Sequence, residues 1–252
     1  MRSLMTISAK AWKNYISILR RVSERATKEM ESFIITQSNR FNEGRISRAE
    51  YEALVIDYAY ALAKKYGEAA GAAACDMYDA ISELQGASVP PAVMAPTATY
   101  NETARAVVGT MKTGNPKIVA DATGRLVKLV SVDTMLKNAE RDGDEWAWIP
   151  QGDTCAFCIT LASRGWQPAS KIALKNGHAE HVHANCDCTY AVRHTDTNVT
   201  LDVEGYDPQE YRDMYYDAPL REGEAATPKN RINSMRRQFY AENGTEEIDV
   251  SL

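Results

Sequence analysis

Ile46-Ser47-Arg48-Ala49-Glu50-Tyr51 is the stretch on which the fold turns. Ser47 has the side chain to cap a helix beginning at Arg48. Glu50 stands where it can reach back to that cap, and Ile46 can staple onto Tyr51. The helix so opened carries Leu54, Tyr58, Leu62, Ala69, Ala73, Met77, Ile81 and Leu84 at helical spacing, and Gly86 stops it. Upstream, residues 8–38 place Trp12, Tyr15, Leu19, Val22, Ala26, Met30 and Phe33 on one stripe. Two long amphipathic helices joined by a short capped turn predict an antiparallel hairpin, or a stripe that meets a partner subunit. Between Gly67 and Cys75 the second helix is nearly all small residues, a face that lets another helix come close. Cys75 among those alanines reads as a small buried hydrophobe rather than a reactive thiol.

Working downstream, Pro90, Pro91 and Pro96 rule out a helix over 88–99. A helix resumes over 99–112 with Ala104, Val107, Val108 and Met111 inward, and Gly114-Asn115-Pro116 ends it. The segment 117–140 reads as helix interrupted at Gly124, while Arg125-Leu-Val-Lys-Leu-Val-Ser-Val132 reads equally as a strand. From Trp146 the texture changes to short apolar runs and turn residues, with Trp146 and Trp148 as core aromatics. Asp207-Pro208 opens a short helix through Tyr216. Thr227-Pro228 opens another with Ile232, Met235 and Phe239 on one side.

The chain is long enough, at 252 residues, for one domain or two. A net charge of −5 argues against wrapping nucleic acid over a large surface. Lys10, Lys13, Arg20, Arg21, Arg25 and Lys28 nevertheless make the first helix basic, as Lys229, Arg231, Arg236 and Arg237 do the last, ahead of an acidic end at Glu246 and Glu247. These read as solvated faces before they read as a DNA track. No run approaches the roughly 18 apolar residues of a membrane span, and Lys10 and Lys13 interrupt the start too soon for a secretory signal. The expected setting is cytoplasm-like, where thiols stay reduced.

Four of the five cysteines and three of the four histidines fall between Trp146 and Arg193. Cys155-Ala-Phe-Cys158 lies towards one end and His183-Ala-Asn-Cys186-Asp-Cys188 towards the other, with His178 and His181 between. A Cys-x-x-Cys turn points two sulfurs at one ion, and Cys186 and Cys188 share a side of an extended segment. The candidate ligands are therefore Cys155, Cys158, His183, Cys186 and Cys188, five for the four places of a closed, structural zinc site. A disulfide staple is the alternative. His178-Ala-Glu180 resembles the His-x-Glu of zinc deaminases, but here the Cys-x-x-Cys precedes it instead of following. A treble-clef nuclease with a catalytic His183 or His178, and a redox pair, are weaker readings still. No phosphate loop, nucleophile elbow or dinucleotide fingerprint is present.

The string Trp146-Ala-Trp148-Ile-Pro150-Gln-Gly-Asp153-Thr-Cys155-Ala-Phe-Cys158-Ile-Thr-Leu161-Ala-Ser163-Arg164-Gly165, followed by His183-Ala-Asn-Cys186-Asp-Cys188, resembles the minor head (head morphogenesis, MuF-like) proteins of tailed phages, in the branch found in phages of actinobacteria. Tyr66-Gly-Glu-Ala-Ala-Gly-Ala-Ala-Ala, Tyr78-Asp and Tyr206-Asp-Pro-Gln-Glu-Tyr211 resemble that branch too. The likeness spans roughly 45 to 240, and Asp187 stands where many members have arginine. It implies a few-copy structural protein, not an enzyme, made in the host cytoplasm and held inside the virion capsid. Its implied partners are the portal protein and the capsid and head proteins, with possible non-specific DNA contact and no membrane.

The expected fold is α+β, mostly α: a helical assembly-contact region over 1–116, a domain with the Cys/His cluster over 117–200, and a polar tail with short helices over 201–252. The alternative function is a zinc-containing nucleic-acid-binding protein or nuclease.

Overall fold

The computed structural model describes residues 3–151, 154–170 and 187–243. Among them the fold is α+β and mostly α, with seven helices and five strands. Strand β1 (Ser3–Ile7) leads into α1 (Ala9–Asn42), and α2 (Arg48–Gln85), α3 (Tyr100–Met111) and α4 (Pro116–Asp142) follow. Next come β2 (Glu145–Ile149), α5 (Ala156–Ala162), β3 (Gln167–Pro168), β4 (Thr189–Arg193) and β5 (Val199–Val203). Helices α6 (Pro208–Tyr216) and α7 (Pro228–Asn243) end the described chain.

Helices α1, α2 and α4 pack on one another and form the core. The entry to α2 is the expected capping box: Ser47 accepts from the Glu50 N–H, and Glu50 accepts from the Ser47 N–H at 2.7 Å. Gly86 ends the helix in the left-handed conformation at φ 62°. The same reciprocal cap recurs at α3 between Thr99 and Glu102. Helix α1 buries Trp12, Tyr15, Leu19, Ala26 and Met30 as its stripe requires, while Val22 and Phe33 are only half-buried.

Helix α2 departs from expectation. Its buried face is Val55, Ala59, Leu62, Tyr66, Ala70, Ala74, Tyr78 and Ile81, turned by about one residue from the expected stripe, and Leu84 is exposed. Cys75 is half-buried rather than enclosed, and the desolvation it does feel, with Asp79 and Asp76 nearby, pushes its thiol up.

Helix α4 is continuous through Arg125–Val132, so the strand alternative does not hold. It lies at the centre of the bundle and is buried nearly all round, which erases the 3.6-residue period. Gly124 is no break either: a Cβ there would collide with the Thr27 hydroxyl of α1. The glycine is what lets the two helices touch.

The proline-bearing segment 87–99 crosses α2 and α4 as an extended strap held by side chains. Asp79 accepts from the Ala92 N–H at 2.8 Å, and Thr134 from the Ala95 N–H at 3.0 Å. Asn138 both accepts from and donates to the Val93 backbone, each at 2.9 Å. Arg141 clasps the Pro90 and Pro91 carbonyls at 2.9 and 3.1 Å. These side chains satisfy backbone groups that no ladder pairs.

The strands form two small sheets. One is antiparallel in the order β3-β2-β4, with Trp148 opposite Tyr190 and Glu145 opposite Arg193. The other joins β1 to β5 in parallel, Ile7 beside Val203. Strand β1 lies where the sequence marks nothing. Helices α6 and α7 pack on α5: Met235 of α7 and Ala218, just past α6, form an apolar cluster with Ala156 and Ile159 of α5, and Tyr211 and Tyr215 of α6 lie against it. No helix among the described residues is long and apolar enough to cross a membrane.

Candidate functional site

The sulfur-bearing corner grows from the β2–β4 pair. Because the strands run antiparallel with Ile149 opposite Thr189, the exit of β2 lies beside the entry to β4. Cys188 is the last residue before β4 and is 5% exposed. The Gln151 N–H, just past β2, donates to its sulfur at 3.4 Å. A few residues on, Cys155 occupies the N-cap of α5 and Cys158 lies in its first turn, 1% exposed. Trp146, Trp148 and Tyr190 form the floor, with Tyr190 edge-on to both indoles at 4.7 and 4.6 Å. Burial pushes the Tyr190 hydroxyl well above the usual tyrosine range. The two tryptophans are thus core aromatics, as the sequence suggests.

Three of the five candidate ligands, Cys155, Cys158 and Cys188, therefore lie on elements that meet at one end of the three-stranded sheet. His183 and Cys186, with His178 and His181, lie outside the described residues. Among the described residues no group of three or more His, Cys, Asp or Glu is arranged to hold a metal. Asp187 anchors this corner to the bundle: its carboxylate is 3.5 Å from the Lys128 ammonium of α4 and 3.7 Å from the Arg20 guanidinium of α1.

A second polar constellation lies elsewhere, and its centre is the fourth histidine. His194, just beyond β4, is 3% exposed. Its Nδ1 is 2.7 Å from the Asp144 carboxylate, and its Nε2 is 2.9 Å from the Ser82 hydroxyl of α2. Gln85 accepts from the His194 N–H at 2.8 Å and donates to the His194 carbonyl at 3.1 Å. Tyr78 donates to Asp142 at 2.6 Å and lies 3.1 Å from Asp144. Burial alone would raise the Asp142 carboxyl, but Arg141 and the Tyr78 hydroxyl outweigh it and hold the group below the usual carboxylate range. Tyr78 is pushed far up, by burial first and by its bond to Asp142 second.

Ser82, His194 and Asp144 have the order of contacts of a hydrolytic triad. The geometry does not serve that chemistry. Ser82 lies within a continuous helix, its hydroxyl donates to the Tyr78 carbonyl at 3.0 Å, and all three residues are buried. A nucleophile needs an open approach and a base free to take its proton. What this arrangement does is fasten three elements together. Nothing in local spacing marks it, since His194 finds its partners 50 and 112 positions away.

The family model described as VG15 protein matches residues 6–218, a span that takes in the bundle, the sulfur-bearing corner and α6. Neither the curated proteins nor the solved structures include a match.

Proposed function

The chain belongs to the VG15 protein family, a family of viral (phage) gene products, and from that premise we propose that it is a structural minor head protein. It is present in few copies inside the capsid, associates with the portal, and acts in head morphogenesis or in genome packaging and ejection. It carries no catalytic site. The observation that supports this most is that one family match runs through both the helical bundle and the sulfur-bearing corner. Apolar side chains left in solvent on the helical region, Ile18, Ile35 and Phe41 on α1, suit docking onto larger subunits. Co-expression with the portal protein of the source phage, followed by affinity purification, tests it. Stoichiometric co-purification with portal or capsid subunits is expected, and no association with either sinks the reading.

The corner is proposed to be a closed zinc site built from Cys155, Cys158 and Cys188 and completed by His183 or Cys186. Soft thiolates suit zinc, and the Gln151 N–H aimed at Cys188 is the kind of donor that orients a ligating sulfur. Zinc would tie the entry of β4 to α5, and its binding energy would be folding energy. Native mass spectrometry with and without chelator should find one zinc per chain whose loss unfolds this region. A mass lighter by about two daltons per bridge, from hydrogen loss alone, would replace zinc by disulfides.

A nucleic-acid contact is the second reading. It is favoured by the outward face of α1, where Lys10, Lys13, Arg21, Arg25 and Lys28 are all exposed. Binding carried by those cations falls steeply with salt; binding indifferent to salt removes this reading.

A further inference from the structure

Strand β1 uses only one of its two edges. In a parallel pair a residue turns both backbone groups to the same side, and successive residues alternate. The Ser3 N–H donates to the Asn198 carbonyl, and the Ile7 carbonyl accepts from the Glu204 N–H, both at 3.0 Å. With Ser3 beside Val199 and Ile7 beside Val203, it is Ser3, Met5 and Ile7 that turn their backbone groups to β5. Leu4 and Thr6 turn theirs to the opposite edge. Among the described residues no strand lies there, since this sheet consists of β1 and β5. The side chains are as open as the edge. Ser3 to Thr6 are all exposed, Leu4 at 68% and Met5 at 40%, and only Ile7 is buried.

Folded proteins blunt an open edge with lysine, proline, a bulge or a covering element. Ser3-Leu-Met-Thr-Ile7 has neither charge nor proline. A free row of N–H and C=O groups fits an extended strand, and the edge's own symmetry says which one. Let a second β1 run antiparallel beside the first, with Met5 opposite Met5. Leu4 then falls opposite Thr6 of the second copy, and Thr6 opposite its Leu4. These are the residues whose groups point outward, so each facing pair exchanges both bonds. Met5, already committed to β5, falls at the non-hydrogen-bonded position. The register is its own image under a two-fold axis, the condition for an isologous interface. Charge agrees: an uncharged strand brings no like charges face to face with its copy. The acid of β5, Asp202 beside Thr6, stands one strand back from the seam.

We propose that the outer edge of β1 docks a second copy of this chain: the two strands pair antiparallel about Met5 and join the small sheets of the two copies into one, in the order β5-β1-β1-β5. On their own, two five-residue strands bury well under the roughly 800 Å² a side of a stable complex. The pair therefore forms where copies are concentrated, as in an assembly, and dissociates in dilute solution. The pairing does not depend on the head-protein reading.

Sedimentation of the full chain from micromolar to millimolar concentration tests it. The parent should pass from monomer to dimer. Thr6→Pro removes an outward N–H and leaves the bonds to β5 in place, so this variant should stay monomeric throughout. A parent that stays monomeric, or a dimer that Thr6→Pro leaves unchanged, overturns the proposal. Should that variant not fold, Met5→Cys decides. Facing residues at a non-hydrogen-bonded position lie about 4.5 Å apart between Cα atoms, within reach of a disulfide. Under mild oxidation Met5→Cys should give a crosslinked dimer that the parent does not, and a yield no greater than the parent's overturns the pairing.

Discussion

Helices α1 and α2 are neighbours of similar length, yet they hide different kinds of surface. The stripe of α1 is made of large side chains, Trp12, Tyr15, Leu19, Met30 and Ile34, each nearly solvent-free. The buried face of α2 includes Ala59, Gly67, Ala70, Gly71 and Ala74, together with the polar Tyr66, Tyr78, Ser82 and Gln85. Large residues mark a face that fills space. Small and polar ones mark a face that admits another backbone, here the strap at Thr97 and Met94, and that anchors distant groups. Reading α2 by the size of its apolar residues turns the helix by about one position and brings Leu84 inward, where it is not.

If that contrast is right, the two helices respond differently to substitution. The largest effect belongs to α1: Trp12→Ala, at 2% exposure, should cost about 3–5 kcal/mol in urea unfolding. A loss below about 1 kcal/mol would mean the stripe is not a packed core. On α2 the sensitive change is enlargement. A Cβ at Gly67 would already lie 3.0 Å from both Thr97 and Val130, so Gly67→Val should cost about 1–3 kcal/mol by overpacking. Unchanged stability there would remove the close-approach argument. Ser47→Ala takes away the cap that starts α2, and a loss of about 1 kcal/mol is expected. Smallest of all is Leu84→Ser. At 38% exposure this change should stay within about 0.5 kcal/mol, and a large loss would restore the stripe that the structure displaces.

Much of the helical part is legible in the sequence because caps and stops are local chemistry. Ser47, Glu50, Gly86, Pro208 and Pro228 each fall where a helix begins or ends. Helix α4 resists reading for the opposite reason: at the centre of the bundle, Leu126, Val127, Val130, Ser131, Val132 and Thr134 are all buried, so no period separates helix from strand. Strand β1 is invisible because its pairing with β5 joins residues nearly the whole chain apart. In the sulfur-bearing corner, residue type and spacing single out Cys155, Cys158, His183, Cys186 and Cys188, and for the three described cysteines the sheet register sets Cys188 at the entry to β4 beside the exit of β2, with Cys155 and Cys158 on the helix that follows. His194 is the reverse case. A lone histidine after a strand carries no pattern, and its place is set by Asp144, Ser82 and Gln85, which only the folded chain brings near.

The chain belongs to a viral (phage) protein family, and its proposed place is in the head. Quantitative mass spectrometry of purified particles of the source phage tests it most directly. The account predicts the full chain at a few copies per particle, retained after nuclease treatment and washing. Particles complete in portal and capsid subunits but lacking this chain would contradict it.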